Sequence, residues 1–327
     1  MSMWRDQKQS FVEALKYLDL RRKGVIKSIK TPWSKFNDAT VDGIEWNTIT
    51  VIGGRPASGK TAIAEQIIRE AFALNPEQNF RVLQFQFEML GRVQAIREYS
   101  SVIGRSYKYL CSADGQLSED DLKRCHEYAK RKTKNSNVDI VDTPQTVEDF
   151  KKIVKEYFET HITLNEKHEK RYTPVIITID HSVLFKKAPY EKDKLETLNN
   201  LGEALTELKK RYPVAFIVLS QLNRNIDHPD RAEDGKYGNY VLESDIFGAD
   251  ALLQHADTVV GINRPAKQKI RFYGPDRYII DDDRILVLHF LKCRNGDTRM
   301  SFFKAEFEKM KIIEIPTPGT QQKRINV

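Results

Sequence analysis

An α/β fold built around a mostly parallel sheet is the architecture that this sequence predicts, on three observations. The stretch VIGGRPASGKTAIAEQI (51–67) places Gly54-x-x-x-x-Gly59-Lys60-Thr61 between a β-branched run and a helix-forming run. Near-continuous apolar runs of strand length recur at PVIITID (174–180) and VAFIVLSQ (214–221). Runs of that kind are buried on both faces, as in a parallel sheet. Helix-period stripes alternate with them, so right-handed βαβ units and one α/β domain follow.

Taken in order, residues 5–22 set Phe11, Leu15 and Leu18 on one helical face among many charges. Such a helix packs on its own core or on a neighbouring subunit, and the sequence leaves both open. Residues 23–47 read as irregular, with Lys30-Thr31-Pro32 as a turn. Thr48 to Ile52 is a buried strand, and Ile63, Ile67 and Ala71 recur at helical spacing after the glycine-rich loop. RVLQFQFEML (81–90) is a second strand, ending at Glu88, and 91–133 is helix-rich and polar. A short strand, VDIVDTP (138–144), precedes a helix opened by Thr146-x-x-Asp149, with Val147, Phe150, Ile153 and Tyr157 as its apolar stripe. Residues 161–173 read as a charged loop. Leu195, Leu198, Leu201, Leu205 and Leu208 mark the helix between the two long apolar strands. DTVVGIN (257–263), ILVLHFLK and MSFFKAEFEKMKIIE supply the remaining strands.

A strand, a glycine-rich loop and a helix start together let backbone N–H groups wrap a phosphate chain at the helix N-terminus. Gly54, Arg55, Pro56, Ala57, Ser58, Gly59, Lys60, Thr61 and Ala62 form that cradle. Lys60 suits the β- and γ-phosphates, and the Thr61 hydroxyl suits Mg²⁺. Polar residues recur at other strand ends, namely Glu88, Asp180 and Gln221. In an open parallel sheet those ends form the ligand crevice. Asp180 suits a Mg²⁺-associated carboxylate, Glu88 a base that orients attacking water, and Gln221 a γ-phosphate sensor.

Composition narrows the class. With 327 residues, 40% of them hydrophobic, the chain builds a sizeable core. No apolar run approaches the ~18 residues that span a bilayer, and the N-terminus lacks the apolar segment of a secretory signal. Cys111, Cys125 and Cys293 share no metal-type spacing, which points to a reducing, cytoplasmic compartment. A net charge of +7 permits a polyanionic partner.

GGRPASGKTAIA, FQFEML, IITIDHSVLF, VLSQLNR and FLKCRNGD stand in the order, and near the spacing, of the motor domain of DnaB-type replicative helicases. The resemblance covers roughly residues 30–314. It implies a RecA-like P-loop NTPase, with a mostly parallel central sheet flanked by helices and antiparallel strands at the C-terminus. It also implies ATP or another NTP with Mg²⁺, a hexameric ring on single-stranded DNA at a replication fork, and a primase or loader protein as partner, in a bacterial or phage-infected cytoplasm. Carried over, Lys60 and Thr61 resemble the phosphate and Mg²⁺ contacts, Glu88 the catalytic glutamate, Asp180 the Walker B aspartate and Gln221 the sensor. Lys292 and Arg294 resemble the lysine and arginine finger that reach a neighbouring subunit's nucleotide. Residues 1–29 resemble the family's linker helix and connector, no primase-docking domain is expected ahead of them, and 315–327 is a basic tail. His181 stands where a tyrosine is more usual. In the DNA-facing loop 243–257, Phe247 replaces an arginine and Asp250 a glycine. The candidate nucleic-acid residues are Arg224, Arg231, Lys236 and Phe247, beside Tyr237 and Tyr240. A RecA-like oligomeric ATPase that binds DNA for regulation or recombination without unwinding it is the alternative.

Overall fold

The computed structural model describes residues 6–134, 136–164, 170–228, 231 and 240–320. α1 (Gln7–Arg22) starts at Asp6, whose side chain accepts the Lys8 N–H, and carries no buried residue. α2 (Ser34–Ala39) buries Phe36 and Ala39 inside the stretch read as irregular. β1 (Thr48–Gly54) runs into α3 (Lys60–Leu74), and β2 (Arg81–Gln86) into α4 (Gly91–Ile103), α5 (Tyr107–Cys111) and α6 (Glu119–Lys134). β2 therefore ends two residues before Glu88, which lies on the turn that follows. β3 (Val138–Val141) leads to α7 (Val147–Thr160), capped by Thr146 Oγ1, which accepts the Asp149 N–H at 3.1 Å.

The charged segment 161–173 is not a plain loop. β4 (Ile162–Leu164) and β5 (Lys170–Tyr172) pair antiparallel within it, with Ile162 opposite Tyr172. β6 (Val175–Asp180), α8 (Lys194–Arg211) and β7 (Val214–Gln221) follow as the apolar runs require. The segment before β8 (Thr258–Asn263) holds α9 (Ala249–Leu253). A two-residue pair, β9 (Phe272–Tyr273) and β10 (Tyr278–Ile279), precedes β11 (Ile285–Cys293), β12 (Arg299–Glu306) and β13 (Lys311–Glu314).

Nine strands form one sheet in the order β13-β12-β11-β8-β1-β7-β6-β2-β3. β3, β2, β6, β7, β1 and β8 are mutually parallel, and β11, β12 and β13 extend the sheet antiparallel. Period-two alternation divides the core. Val214, Phe216 and Val218 pack under α7 and α8 with Phe150, Leu201 and Leu205, whereas Ala215, Ile217 and Leu219 face α3 with Ile63 and Ile67. Each buried Phe, Leu or Ile side chain contributes about 1.5–3 kcal/mol by leaving water. Two packed faces thus hold the sheet rigid, and the C-terminal ends of β1, β2, β6 and β7 open along one edge. No described helix is long and apolar enough to cross a membrane.

Candidate nucleotide site and its distant cations

The phosphate-type loop is shaped by what glycine permits. A Cβ on Gly54 would collide with the Ser58 hydroxyl and lie 3.0 Å from Lys60 Cγ. Gly59 sits at φ +106°, and a Cβ there would lie 2.8 Å from the Phe307 ring. Lys60 is buried, with Nζ donating to the Gly54 carbonyl at 2.8 Å and the Arg55 carbonyl at 3.1 Å. Burial lowers its pKa, opposed by the charges of Asp180 and Glu88. The Arg55 guanidinium pairs with Asp227 in the turn after β7. The Ser58 hydroxyl is buried without a partner among the described residues.

Gln86 is level with Asp180 across β2 and β6, and Gly54 with Gln221 across β1 and β7, so the strand-end residues meet above one edge. Thr61 Oγ1 donates to Asp180 Oδ2 at 2.8 Å, while Asp180 Oδ1 is buried with no partner among the described residues. Burial pushes the Asp180 carboxyl up to about 6, Thr61 opposes this and Glu88 adds to it. The Gln221 amide lies 3.2 Å from His181 Nε2, which accepts from it if the imidazole proton is placed on Nδ1. Burial lowers the His181 pKa, so the neutral ring is favoured. Glu88 itself is exposed at the mouth.

Lys60, Thr61, Glu88, His181 and Gln221 line a cavity of about 460 Å³ that runs from the loop to a wall the sequence did not disclose. Arg97 from α4, Arg264 just past β8, and Phe307 past β12 complete it. The Arg264 guanidinium stacks 4.6 Å from the centre of the Phe307 ring, and burial lowers its pKa. Arg264 immediately follows a parallel strand, one position beyond the kind of strand end that singled out Asp180 and Gln221. Phe307 has no comparable local mark.

Lys292 and Arg294 are not in this cavity. Cys293 is level with Thr258, and Thr258 with Thr50, four residues before Gly54. At a strand rise of ~3.3 Å per residue, the β11 end lies about 13 Å from the loop along the sheet, toward the opposite edge. Lys292 lies in β11, whereas Arg294 follows the strand in a turn. Lys292 Nζ donates to the Leu253 carbonyl at 2.6 Å. Burial lowers the Lys292 pKa, and Arg294 adds to this. Arg294 Nη1 lies 3.1 Å from Asp257 Oδ1, with its side chain 54% exposed.

The candidate nucleic-acid residues fare unequally. Arg224 is exposed in the turn Arg224–Asp227. Phe247 is 41% exposed, and its N–H donates to the Gln221 carbonyl at 2.7 Å. Arg231 is instead embedded, its guanidinium bidentate on Asp245 at 2.9 and 2.8 Å and bonded to the Tyr240 carbonyl. It therefore braces the segment and presents little charge to solvent. Lys236, Tyr237 and most of that loop lie outside the described residues.

The family model for the DnaB-like helicase C terminal domain matches residues 28–312. The replicative DNA helicase DnaB of Buchnera aphidicola subsp. Baizongia pistaciae is 25% identical over 240 residues, 73% of this chain and 47% of that protein. The chain thus spans about half the length of the curated relatives it matches. A separately solved ATPase domain superposes with a TM-score of 0.74 at 19% identity, covering 95% of this chain and 100% of that domain. A DnaB-like replicative helicase solved with its primase interactions gives 0.74 at 17% identity, covering 96% of this chain and 68% of that one. These likenesses fix the fold as RecA-like, and the match over residues 28–312 shows that the chain belongs to the DnaB-like helicase C-terminal domain family.

Proposed function

We propose that the chain is the motor of an ATP-dependent DNA helicase that encircles single-stranded DNA as a hexamer and unwinds duplex at a replication fork. The observation that carries this reading is the separation of the site. A phosphate cradle with Thr61, Glu88, Asp180 and Gln221 occupies one edge of the sheet, while Lys292 and the exposed Arg294 lie toward the other. A second copy would bring those cations to the first copy's cradle, and a ring satisfies every site in this way.

Within one site, Lys60 would release the two loop carbonyls for the β- and γ-phosphates. Thr61 and, through water, Asp180 would hold Mg²⁺; Asp180 Oδ1, which has no partner among the described residues, and the Thr61–Asp180 pair fit that ion. When bound, Mg²⁺ neutralises charge on the phosphate oxygens. Glu88 would accept the proton of a water that attacks the γ-phosphorus, with ADP leaving. Arg264 on Phe307 supplies a flat, apolar and cationic wall of the kind that receives a nucleobase. Gln221 would report the γ-phosphate to Phe247 through the main-chain bond between them, and Arg224 would meet the DNA backbone in a salt-sensitive contact.

α1 supports assembly, since Phe11, Leu15 and Leu18 stand 65%, 67% and 61% exposed. We assign that face to the adjoining subunit. A primase or loader would engage the ring, in keeping with the primase interactions described for the DnaB-like structure. The test is fork unwinding with ATP and Mg²⁺ beside a sizing measurement. Wild-type rings should displace a strand, and Lys60→Ala should lose all turnover. ATP hydrolysis without strand displacement would favour the DNA-binding ATPase that does not unwind.

A further inference from the structure

Arg294 is not loose at the surface; it is tied to a carboxylate that has other obligations. Asp257 is 7% exposed and immediately precedes β8. Its Oδ2 accepts the Ile49 N–H at 2.9 Å and lies 2.6 Å from Lys209 Nζ. Its Oδ1 faces Arg294 Nη1 at 3.1 Å, and its carbonyl accepts the Arg294 N–H at 2.8 Å. One oxygen is thereby engaged with Ile49 and Lys209, and the other with the half-exposed Arg294. The Lys209 side chain is 12% exposed, against 54% for Arg294.

We propose that Asp257 is the positioning residue for Arg294, holding the guanidinium extended from its own subunit until a phosphate on the adjoining copy takes it. This rests on the reading of Arg294 as a cation acting on the next subunit's nucleotide. The main-chain bond fixes where the side chain begins, and Oδ1 fixes where its charge waits. Removing one partner of a buried ion pair ordinarily strands the other charge, which is costly. Lys209 removes that difficulty, because Asp257 keeps a cation at 2.6 Å when Arg294 leaves. The carboxylate therefore orients the arginine without trapping it. Its contribution is alignment before the reaction, and a misplacement of about 1 Å can cost on the order of a hundredfold in rate.

The experiment is a double-mutant cycle on DNA-bound rings, read as kcat and KM for ATP. Asp257→Asn keeps one acceptor oxygen for Ile49 and Lys209, and turns a donating NH2 toward Arg294 in place of the oxygen that holds it. It is expected to lower kcat about tenfold to a hundredfold with KM changed less than about twofold, and to add nothing in an Arg294→Ala background. An equal loss in both backgrounds, or no loss in the wild-type background, would overturn the proposal. If Arg294→Ala itself hydrolyses ATP normally, the assignment of Arg294 falls and this inference with it. A lost rate in Arg294→Ala beside a normal Asp257→Asn sinks the inference alone. Should Asp257→Asn fail to fold, Lys209→Met decides. It leaves Arg294 as the main counter-charge of Asp257, so kcat falls several-fold only where Arg294 is present, whereas a loss that persists without Arg294 refutes the mechanism.

Discussion

Glu65 lies one helical turn beyond Thr61, 9% exposed, with one carboxylate oxygen unpartnered among the described residues. Burial raises its pKa from 4.5 to about 7, against the pull of Arg97. A folded value above the unfolded one means that the native state holds the proton more tightly. The associated stability is complete below about pH 4.5 and is lost as pH rises through about 7. Glu65→Gln, which mimics the protonated form, should therefore stabilise the protein at pH 8 by up to about 3 kcal/mol, with the gain vanishing toward pH 4.5. Urea unfolding at both pH values checks this, and a difference independent of pH would contradict it. At this scale the placement of candidate residues at strand ends was legible in the sequence. Asp180 and Gln221 each close a buried strand, and Lys60 and Thr61 open α3 after the loop that follows β1, so the four come to the same edge. Arg97 and Phe307 were not legible, because a helix face and a strand connection bring them in from elsewhere with no local pattern. Arg231 misled for the opposite reason: a basic residue in a polar loop looks available, and only the fold shows Asp245 gripping it.

Among the elements, long apolar runs and capped helices were the readable ones. VAFIVLSQ is β7 to the residue, and Thr146 caps α7. The hairpin β4–β5 and the pair β9–β10 leave no mark in the sequence, since strands of two or three residues are too short to show a period. α1 raises a different matter. It meets the body at its C-terminal half, where Tyr17 donates to Glu45 at 3.0 Å and Arg21 to Ser28 at 3.2 Å, and leaves its apolar stripe uncovered. Leu15→Glu should accordingly disperse the ring and suppress turnover while changing subunit stability by less than about 0.5 kcal/mol, as exposed substitutions do. Sizing beside thermal unfolding distinguishes the two effects. An intact, active ring would mean that α1 takes no part in assembly.

Across the whole molecule, the antiparallel strands β11–β13 do more than widen the sheet. β11 runs back against β8, so its end is carried away from the phosphate cradle, and Arg294 is delivered to the opposite edge beside Asp257. Sequence spacing could not show this, because direction within a sheet is a tertiary property. On the proposed reading, one subunit would hold two halves of two different sites, and catalysis would belong to the interface between copies. The most direct test is Arg294→Ala, with nucleotide affinity and steady-state ATP turnover measured on the same ring preparation. Nucleotide binding within about twofold of wild type, with turnover reduced about a thousandfold or more, is the result expected of an arginine supplied in trans. Turnover at the wild-type rate would contradict the composite site.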